Sequence, residues 1–271
     1  MQAELAGNAD GSEKPRLNLA FVLLAEPRLP TAKDIIEAFN SFTNNRQSVR
    51  LSQEKPSNPA AKDMLHFELG ENHSAYVMLL PVPVPKHEAD DAARFSLSSM
   101  GTGWKLPVHN AHLLVTQHRS GSPTTVDDLS SFTSLLAAVA EASGAVGVYW
   151  GNAGATHSAS FFISMAREEG LLPRIMLWNG VSFAHESDGR TSILSLGMQQ
   201  LGLPNLILVA PRTAANSALG FLFDALSYLI DRGSPLPDGD TIGRDADERL
   251  KVRYVPSPID STKIVWRVEI P

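Results

Sequence analysis

The sequence predicts an α+β protein, built of mixed sheets with helices packed outside them. Apolar runs typical of strands alternate with segments of helical apolar spacing, and the chain closes in an alternating hairpin. A strand followed by a helix begins at Leu17 and again near His112, with hairpins between them. We therefore predict a flexible lead-in at 1–16 and two related lobes, 17–110 and 111–271, that form one compact body.

The composition predicts a soluble protein of the cytoplasm. Hydrophobic residues make up 43% of the 271 and charged residues 19%, which are ordinary globular values. No uninterrupted apolar run reaches the roughly 20 residues that span a bilayer. The first residues, MQAELAGNADGSEKPRL, carry both charge signs and lack the apolar region of a secretory signal. Because the chain has no cysteine, disulfides, thiolate metal sites and a cysteine nucleophile are excluded.

The first lobe is predicted to open with a buried strand and an amphipathic helix. Thr31 is placed to cap that helix, whose buried face begins at Ile35 and Phe39. A second, weaker helix is predicted at 87–100. The predicted strands of this lobe are 17–25, 48–53, 64–69 and 75–84.

The second lobe is predicted to carry two long helices. Thr124 or Thr125 caps the first, and Gly233 ends the second. In the closing hairpin, Ile264, Trp266, Val268 and Ile270 share one face, the pattern of a half-exposed antiparallel sheet. The predicted strands are 112–117, 146–150, 174–178, 192–196, 205–210, 250–255 and 263–270.

A glycine-rich stretch contains the residues that could hold a small ligand. The segment GVYWGNAGATHS, 147–158, predicts a strand, a turn and the start of a helix at Ser158. Strand-to-helix turns often present groups to a ligand, which makes Trp150, Asn152 and His157 an alternative ligand site. The competing interpretation is structural: Asn152 and His157 bond the local backbone, and Trp150 and Trp178 anchor the core near the ends of neighbouring strands.

Two segments also resemble a known bacterial family. GVYWGNAGATHS followed by LPRIMLWNGVSF, 172–183, and PLPDGDTIGRDADERLKVRYVPSPID, 235–260, are similar to domain of unknown function 4261. Members of that family often lie in gene neighbourhoods of type VI secretion and other contact-delivered toxins. The resemblance therefore implies a toxin-associated or immunity role, and it implies no particular chemistry.

Known catalytic and nucleotide-binding patterns are missing from the sequence. It has no GxSxG elbow, no dinucleotide glycine pattern and no Walker loop, which argues against a serine hydrolase and against the competing doubly wound nucleotide fold. The pairs His109 with His112 and His66 with His73 lack the spacing and glutamate of a zinc helix. We predict no catalytic residue, no cofactor and no metal.

The acidic segment 238–248 invites a calcium interpretation. Asp238, Asp240 and Gly243 fit positions one, three and six of an EF-hand loop. Position five would be Ile242 and position twelve Arg249, and neither can bind calcium. A charged turn before the last hairpin is the better interpretation.

Net charge gives the remaining evidence about partners. With 29 acidic and 23 basic residues the chain is mildly acidic, which argues against direct nucleic-acid binding and fits the basic cleft of a nuclease. We expect no membrane partner, and a homodimer stays open. The candidate partner-binding residues are Glu88, Asp90, Asp91, Asp238, Asp240, Asp245, Asp247 and Glu248.

These observations lead to one hypothesis and two alternatives. The hypothesis is a non-enzymatic, cytoplasmic immunity protein that binds and neutralises a cognate antibacterial toxin, with a type VI secretion nuclease effector as the candidate toxin. The first alternative is an enzyme or small-ligand binder that uses the turn from Trp150 to His157. The second is a chaperone or adaptor that escorts the effector without neutralising it.

Overall fold

The protein is an α+β molecule with two β-sheets, as the sequence predicts. The computed structural model describes residues 16–53, 63–70, 73–100, 102–119 and 124–271. The predicted lead-in lies outside the described residues, apart from Arg16, which begins the first strand. No helix in the described part of the chain is long and apolar enough to cross a membrane.

The first sheet has seven strands, and every neighbouring pair is antiparallel. Its spatial order is β2-β3-β4-β5-β1-β6-β7, so the first strand of the chain lies near the centre. The strands are β1 (Arg16–Leu24), β2 (Val49–Leu51), β3 (Met64–Leu69), β4 (His73–Leu80), β5 (Ala111–Arg119), β6 (Gly147–Trp150) and β7 (Ala155–Ser158).

The second sheet has six strands and is mixed. Its order is β11-β12-β13-β10-β9-β8, and the β10–β13 pair is parallel while the other pairs are antiparallel. The strands are β8 (Gly180–His185), β9 (Arg190–Leu196), β10 (Leu206–Pro211), β11 (Thr241–Ile242), β12 (Leu250–Pro256) and β13 (Ile264–Glu269).

Three helix ends lie where the sequence supplies a cap. Thr31 accepts a hydrogen bond from the Asp34 amide, Thr125 and Asp128 form a capping box, and Gly233 ends the last helix in the left-handed conformation. The helices are α1 (Ala32–Thr43), α2 (Glu88–Ala92), α3 (Val126–Ser143), α4 (Ala159–Arg167), α5 (Leu171–Trp178) and α6 (Ala215–Arg232).

Two helical predictions differ from the structure. The helix predicted at 87–100 is only the five-residue α2 followed by 3₁₀ turns, because Lys86 and His87 have positive φ and Ser96 is extended. The strand predicted at 174–178 is wrong, since these residues form the end of α5. Ile175 and Trp178 recur at helical spacing and are both fully buried, and Pro173 lies in the first turn, where it breaks no helical hydrogen bond.

The first sheet runs across the predicted lobe boundary at 110/111. β5 lies between β4 and β1, so strands from both predicted lobes pair directly. The chain passes from the first sheet to the second between Ser158 and Gly180. One continuous core joins them, with Val22 and Leu24 from the first sheet and Leu208 and Trp266 from the second.

The closing hairpin lies deeper than its pattern predicts. Trp266, Val268 and Ile270 are buried on one face as expected, but Ile264 is 50% exposed. Val265, on the other face, is fully buried in a second cluster with Ile207. This follows from the position of β13 between β12 and β10, which makes it an interior strand rather than half of an isolated hairpin.

Candidate functional site

The residues proposed from sequence as a ligand site do not share an accessible surface. β6 and β7 pair as a tight hairpin, with Val148 opposite His157, and a 3₁₀ turn at Gly151–Ala153 connects them. Trp150 and His157 have no exposed area, whereas Asn152 is exposed at the turn. The two rings therefore belong to the core, and the amide side chain faces solvent.

His157 is held in place by a buried serine. Its Nδ1 lies 2.9 Å from Ser96 Oγ, which also accepts a hydrogen bond from the Ser98 amide. Burial lowers the pKa of His157 to about 4, although the backbone of Leu177 acts in the opposite direction. The ring is therefore neutral at pH 7, and its Nε2 has no partner in full hydrogen-bond geometry.

The Ser96–His157 pair has the residue types of a nucleophile and its base, but not their access. Both side chains are completely buried. The neighbouring Ser98 hydroxyl accepts from the Ser158 amide, so the 3₁₀ segment is tied to the start of α4. Neither side chain of this pair reaches solvent, and the hydrogen bonds of Ser96 and Ser98 connect the 3₁₀ segment to β7 and to the start of α4.

Trp150, Trp178 and two glycines lie where the two sheets meet. Trp178 Nε1 donates to Thr133 Oγ1 at 2.8 Å, and Trp150 packs edge-on against Phe132. A Cβ on Gly197 would lie 2.2 Å from the Trp178 carbonyl oxygen. We call Trp150, His157, Trp178, Gly180 and Gly197 the sheet junction. Trp178 thus anchors the core as predicted, but from the end of a helix.

The first acidic cluster lies on α2. Glu88, Asp90 and Asp91 are exposed in its first turn, while Ala89 packs against the core cluster that includes Leu23. The helix is tied to the first sheet by a 2.6 Å hydrogen bond from Thr156 Oγ1 to the Ala89 carbonyl. These carboxylates therefore project from a fixed position beside the first sheet.

Several carboxylates of the second acidic cluster accept hydrogen bonds from the backbone close to their own turn. Asp238 accepts a hydrogen bond from the Tyr254 amide, and Asp245 accepts from the amides of Asp247 and Glu248. Glu248 pairs with Arg244, whose guanidinium lowers the pKa of its carboxyl. Asp240 and Asp247 keep exposed carboxylates. The cluster lies by β11 and β12, at the edge of the second sheet opposite β8.

Each histidine of the two pairs noted in the sequence contacts a different group in the structure. His66 stacks on Tyr76 at 4.4 Å, while His73 bonds Asp128 with Nε2 2.6 Å from Oδ1. His112 is buried against the Val82 carbonyl, and burial lowers its pKa. Within the described ranges, no group of three or more histidine or acidic side chains is placed to hold a metal ion.

A buried charge cluster at the start of α3 escaped the sequence analysis. Asp128 is 5% exposed and bonds Arg119 and His73 as well as its own cap, Thr125. Burial pushes the pKa of Asp128 upward, but the hydrogen bonds from Thr125, His73 and Arg119 outweigh it and hold that pKa below its usual value. Only the pairing of β4 with β5 brings His73 beside Arg119, and the sequence gives no local signal of it.

One face of the first sheet is partly accessible across four of its strands, β3, β4, β5 and β1. Alternate residues such as Ala20, Val115 and Val77 are buried under the helices, and the residues between them point the other way. Two cross-strand rows on that side are half-buried. We call these eight residues the open face: Phe21, Leu114, Met78 and Met64 in one row, and Leu19, Thr116, Tyr76 and His66 in the other.

Comparison with known proteins gives one result. Residues 194–269 match the model of DUF4261, a domain of unknown function. The matched segment runs from the end of β9 to the end of β13 and includes the second of the two family-like segments, 235–260. The first, which begins at 147, lies outside it. No curated protein and no solved structure matches the chain.

Proposed function

We propose that this protein is a non-enzymatic immunity protein that binds and neutralises a cognate antibacterial toxin, and that the toxin is a nuclease effector of a type VI secretion system. The observation that supports binding best is the open face. The match to DUF4261 and the resemblance of the two segments support the toxin-associated part of the proposal.

The open face has the composition of a protein-binding surface. Interface centres are enriched in aromatic residues and methionine and depleted in charge. Phe21, Tyr76, Met64 and Met78 supply such side chains on a rigid sheet, and none of the eight residues carries a fixed charge. A flat, preorganised surface loses little conformational entropy on binding, which suits the slow dissociation that toxin neutralisation requires.

The acidic α2 gives the surface a preferred kind of partner. Ala89 of α2 packs in the same cluster as Phe21, so Glu88, Asp90 and Asp91 stand at the rim of the open face. Nuclease clefts carry positive potential because they bind phosphates. An apolar centre with an acidic rim therefore complements a basic toxin and steers its approach.

Growth rescue tests the proposal. A candidate toxin, sought among the genes next to this one, is co-expressed with wild-type protein or with the Met78→Arg, Leu114→Arg double variant, and binding is measured by surface plasmon resonance. We expect the double variant to lose rescue and to weaken binding at least a hundredfold, because two charges would be buried unpaired. Tyr228→Arg, on the exposed side of α6, is the matched control and should keep both. Full rescue by the double variant would contradict the proposal.

Steering is tested by comparing the two acidic clusters. Glu88→Gln, Asp90→Asn and Asp91→Asn together should lower the association rate about tenfold at low salt and leave the dissociation rate nearly unchanged. A second variant replaces the aspartates of the other cluster by asparagine, namely Asp238, Asp240, Asp245 and Asp247. Asparagine preserves the hydrogen bonds of the turn, and we expect a smaller effect on the association rate because this cluster lies away from the open face. An unchanged association rate in both variants would contradict the electrostatic part of the proposal.

The enzyme and chaperone alternatives predict different results. His157→Gln should leave rescue intact, because the proposed function needs no chemistry at that residue. Loss of rescue in a folded His157→Gln protein that still binds toxin would favour the enzyme. A complex in which the toxin keeps its nuclease activity in vitro would favour the chaperone.

A further inference from the structure

A second surface feature lies away from the open face, among the helices. A cavity of about 360 Å³ opens between the end of α1, the first half of α3 and the connection from α4 to α5. Its volume is in the range of small-molecule sites. The cavity does not contact the sheet junction residues or the acidic clusters, so its ligand is a separate question from toxin binding.

Two arginines line this cavity without a partner. The guanidinium groups of Arg46 and Arg174 form no ion pair or hydrogen bond within the described part of the chain, and the Nη1 atom of Arg174 is completely buried. A buried, unpaired guanidinium nitrogen is costly because it has lost water without gaining an acceptor. Burial accordingly lowers the pKa of Arg174.

A third arginine in the cavity is different, since its charge is already matched. Arg167 binds both carboxylate oxygens of Glu141, at 2.6 and 2.8 Å, and lies over the Phe42 ring. The Arg167 guanidinium is therefore held in place and forms one side of the cavity. The charge of Arg167 is thus matched within the chain, whereas the guanidinium groups of Arg46 and Arg174 are free for an acceptor from outside.

Other donors face the same space. Gly170, which lines the cavity, is the residue before α5 and supplies no side-chain cap to the first amides of that helix. The Ser130 hydroxyl on α3 also lines the cavity and has no hydrogen-bond partner. Two guanidinium forks, a hydroxyl and a helix amino terminus are the donor set that proteins use for a tetrahedral oxyanion.

We propose that this cavity binds the phosphate group of a small phosphate monoester. The unpaired guanidinium groups of Arg46 and Arg174 would donate hydrogen bonds to the terminal oxygens of that phosphate. The volume leaves room for the organic part of the molecule beside the phosphate. Glu168 and Glu169 also line the cavity and are exposed, so a second phosphate group or a nucleic-acid backbone would be repelled there.

Calorimetric titration with inorganic phosphate at constant ionic strength tests the proposal directly. We expect saturable one-to-one binding to the full chain. Arg174→Gln should weaken the affinity at least tenfold, Arg46→Gln about threefold or more, and Ser130→Ala about twofold. Arg212→Gln, an exposed arginine outside the cavity, is the matched control and should bind as wild type does.

The variants distinguish loss of phosphate binding from loss of folding. Because Arg46 is exposed, its variant should fold even if Arg174→Gln does not, and thermal melting of each variant reports this. No saturable binding to the wild type, or equal weakening by Arg46→Gln and Arg212→Gln, would overturn the proposal. Toxin rescue should be normal in Arg46→Gln, so failure of the phosphate site leaves the test of the open face unaffected.

Discussion

The sheet junction and the open face use similar kinds of side chain for opposite purposes. At the junction, Trp150, His157 and Trp178 are completely buried, and one of the indole nitrogens bonds Thr133. On the open face, Tyr76 and His66 stack on each other and are only half-buried. The difference is one of layers: helices cover the junction, whereas α1 and α3 cover only the other side of the first sheet. The tryptophans and the histidine that stand out in the sequence therefore form the core, whereas alternating strand residues with no sequence motif form the accessible surface.

The DUF4261 match sharpens this contrast. It covers residues 194–269, which form most of the second sheet, while the open face belongs entirely to the first sheet. The matched region thus supplies a framework, and the surface proposed for the partner lies outside it. This arrangement would let proteins that share the matched segment keep one framework and present different surfaces on the first sheet.

The largest expected effect is at the junction. Trp178→Ala should lower the free energy of unfolding by about 3–5 kcal/mol, because it opens a cavity and leaves the Thr133 hydroxyl without its indole donor. Urea denaturation followed by circular dichroism measures the loss. Tyr228→Ala, which removes a 43% exposed side chain, serves as the control and should change stability by less than about 1 kcal/mol. A Trp178→Ala midpoint equal to that of wild type would place this ring outside the core.

Acidification should weaken the junction by a slightly smaller amount. The folded-state pKa of His157 is about 4, below the usual 6.5, so the unfolded chain binds a proton first as the pH falls. The contribution of the neutral His157 ring to the free energy of unfolding is therefore fully present above pH 6.5. It decreases by about 1.4 kcal/mol per pH unit down to pH 4, about 3 kcal/mol in total. His112, whose pKa burial also lowers, acts in the same direction.

Denaturation curves at several pH values, for wild type and His157→Gln, measure this effect. The variant should show a flatter pH dependence between 6.5 and 4. His185→Gln alters an exposed histidine and should keep the slope of the wild type. Parallel slopes for wild type and His157→Gln would show that the buried ring does not govern acid stability. Asp128 contributes only at lower pH, since its stabilisation is lost below its usual pKa of 3.8.

A pair of tryptophan variants tests the junction more finely. Trp178→Phe loses the hydrogen bond to Thr133, whereas Trp150→Phe removes an indole nitrogen that has no partner. Both variants lose similar ring volume. We therefore expect Trp178→Phe to be about 1 kcal/mol less stable than Trp150→Phe by urea denaturation. The reverse order would mean that packing around each ring, and not the hydrogen bond, decides the cost.

The smallest expected effect on stability is at the open face. Met78→Arg should change the free energy of unfolding by less than about 1 kcal/mol, since the new side chain can extend into water. Differential scanning fluorimetry of Met78→Arg beside Val77→Arg gives the comparison, because Val77 is the fully buried neighbour on the helix side. A loss at Met78 as severe as that at Val77 would show that the open face is covered in solution.

Much of the fold follows from local signals in the sequence. Thr125 and Gly233 mark the ends of α3 and α6 correctly, because caps act within a few residues. The sequence predicts a strand at 174–178, where the structure has the end of α5, because a short apolar run fits a buried strand and a buried helix equally well. The helix is favoured by how Ile175 and Trp178 pack in the core, and this tertiary packing cannot be recognised from the local sequence.

The candidate sites could not be predicted in the same way. Tyr76 and Thr116 become neighbours only through the register of β4 with β5, and Arg46 and Arg174 share a cavity only after three helices pack. No spacing rule connects residues so distant in the chain. The turn from Trp150 to His157 can be identified from sequence because its residues are contiguous, but the complete burial of both rings depends on how the sheets pack.

The central place of β1 has a consequence for synthesis on the ribosome. Its two neighbours are β5 and β6, so the strand has no native partner until residues 25–119 have been added. At usual elongation rates this wait lasts roughly 5–20 s. During that time the segment LNLAFVLL presents unpaired backbone and apolar side chains to the cell. Nascent chains that stall before β5 should therefore recruit holdase chaperones, whereas the second sheet, whose strands all emerge within 180–269, can pair soon after it is made.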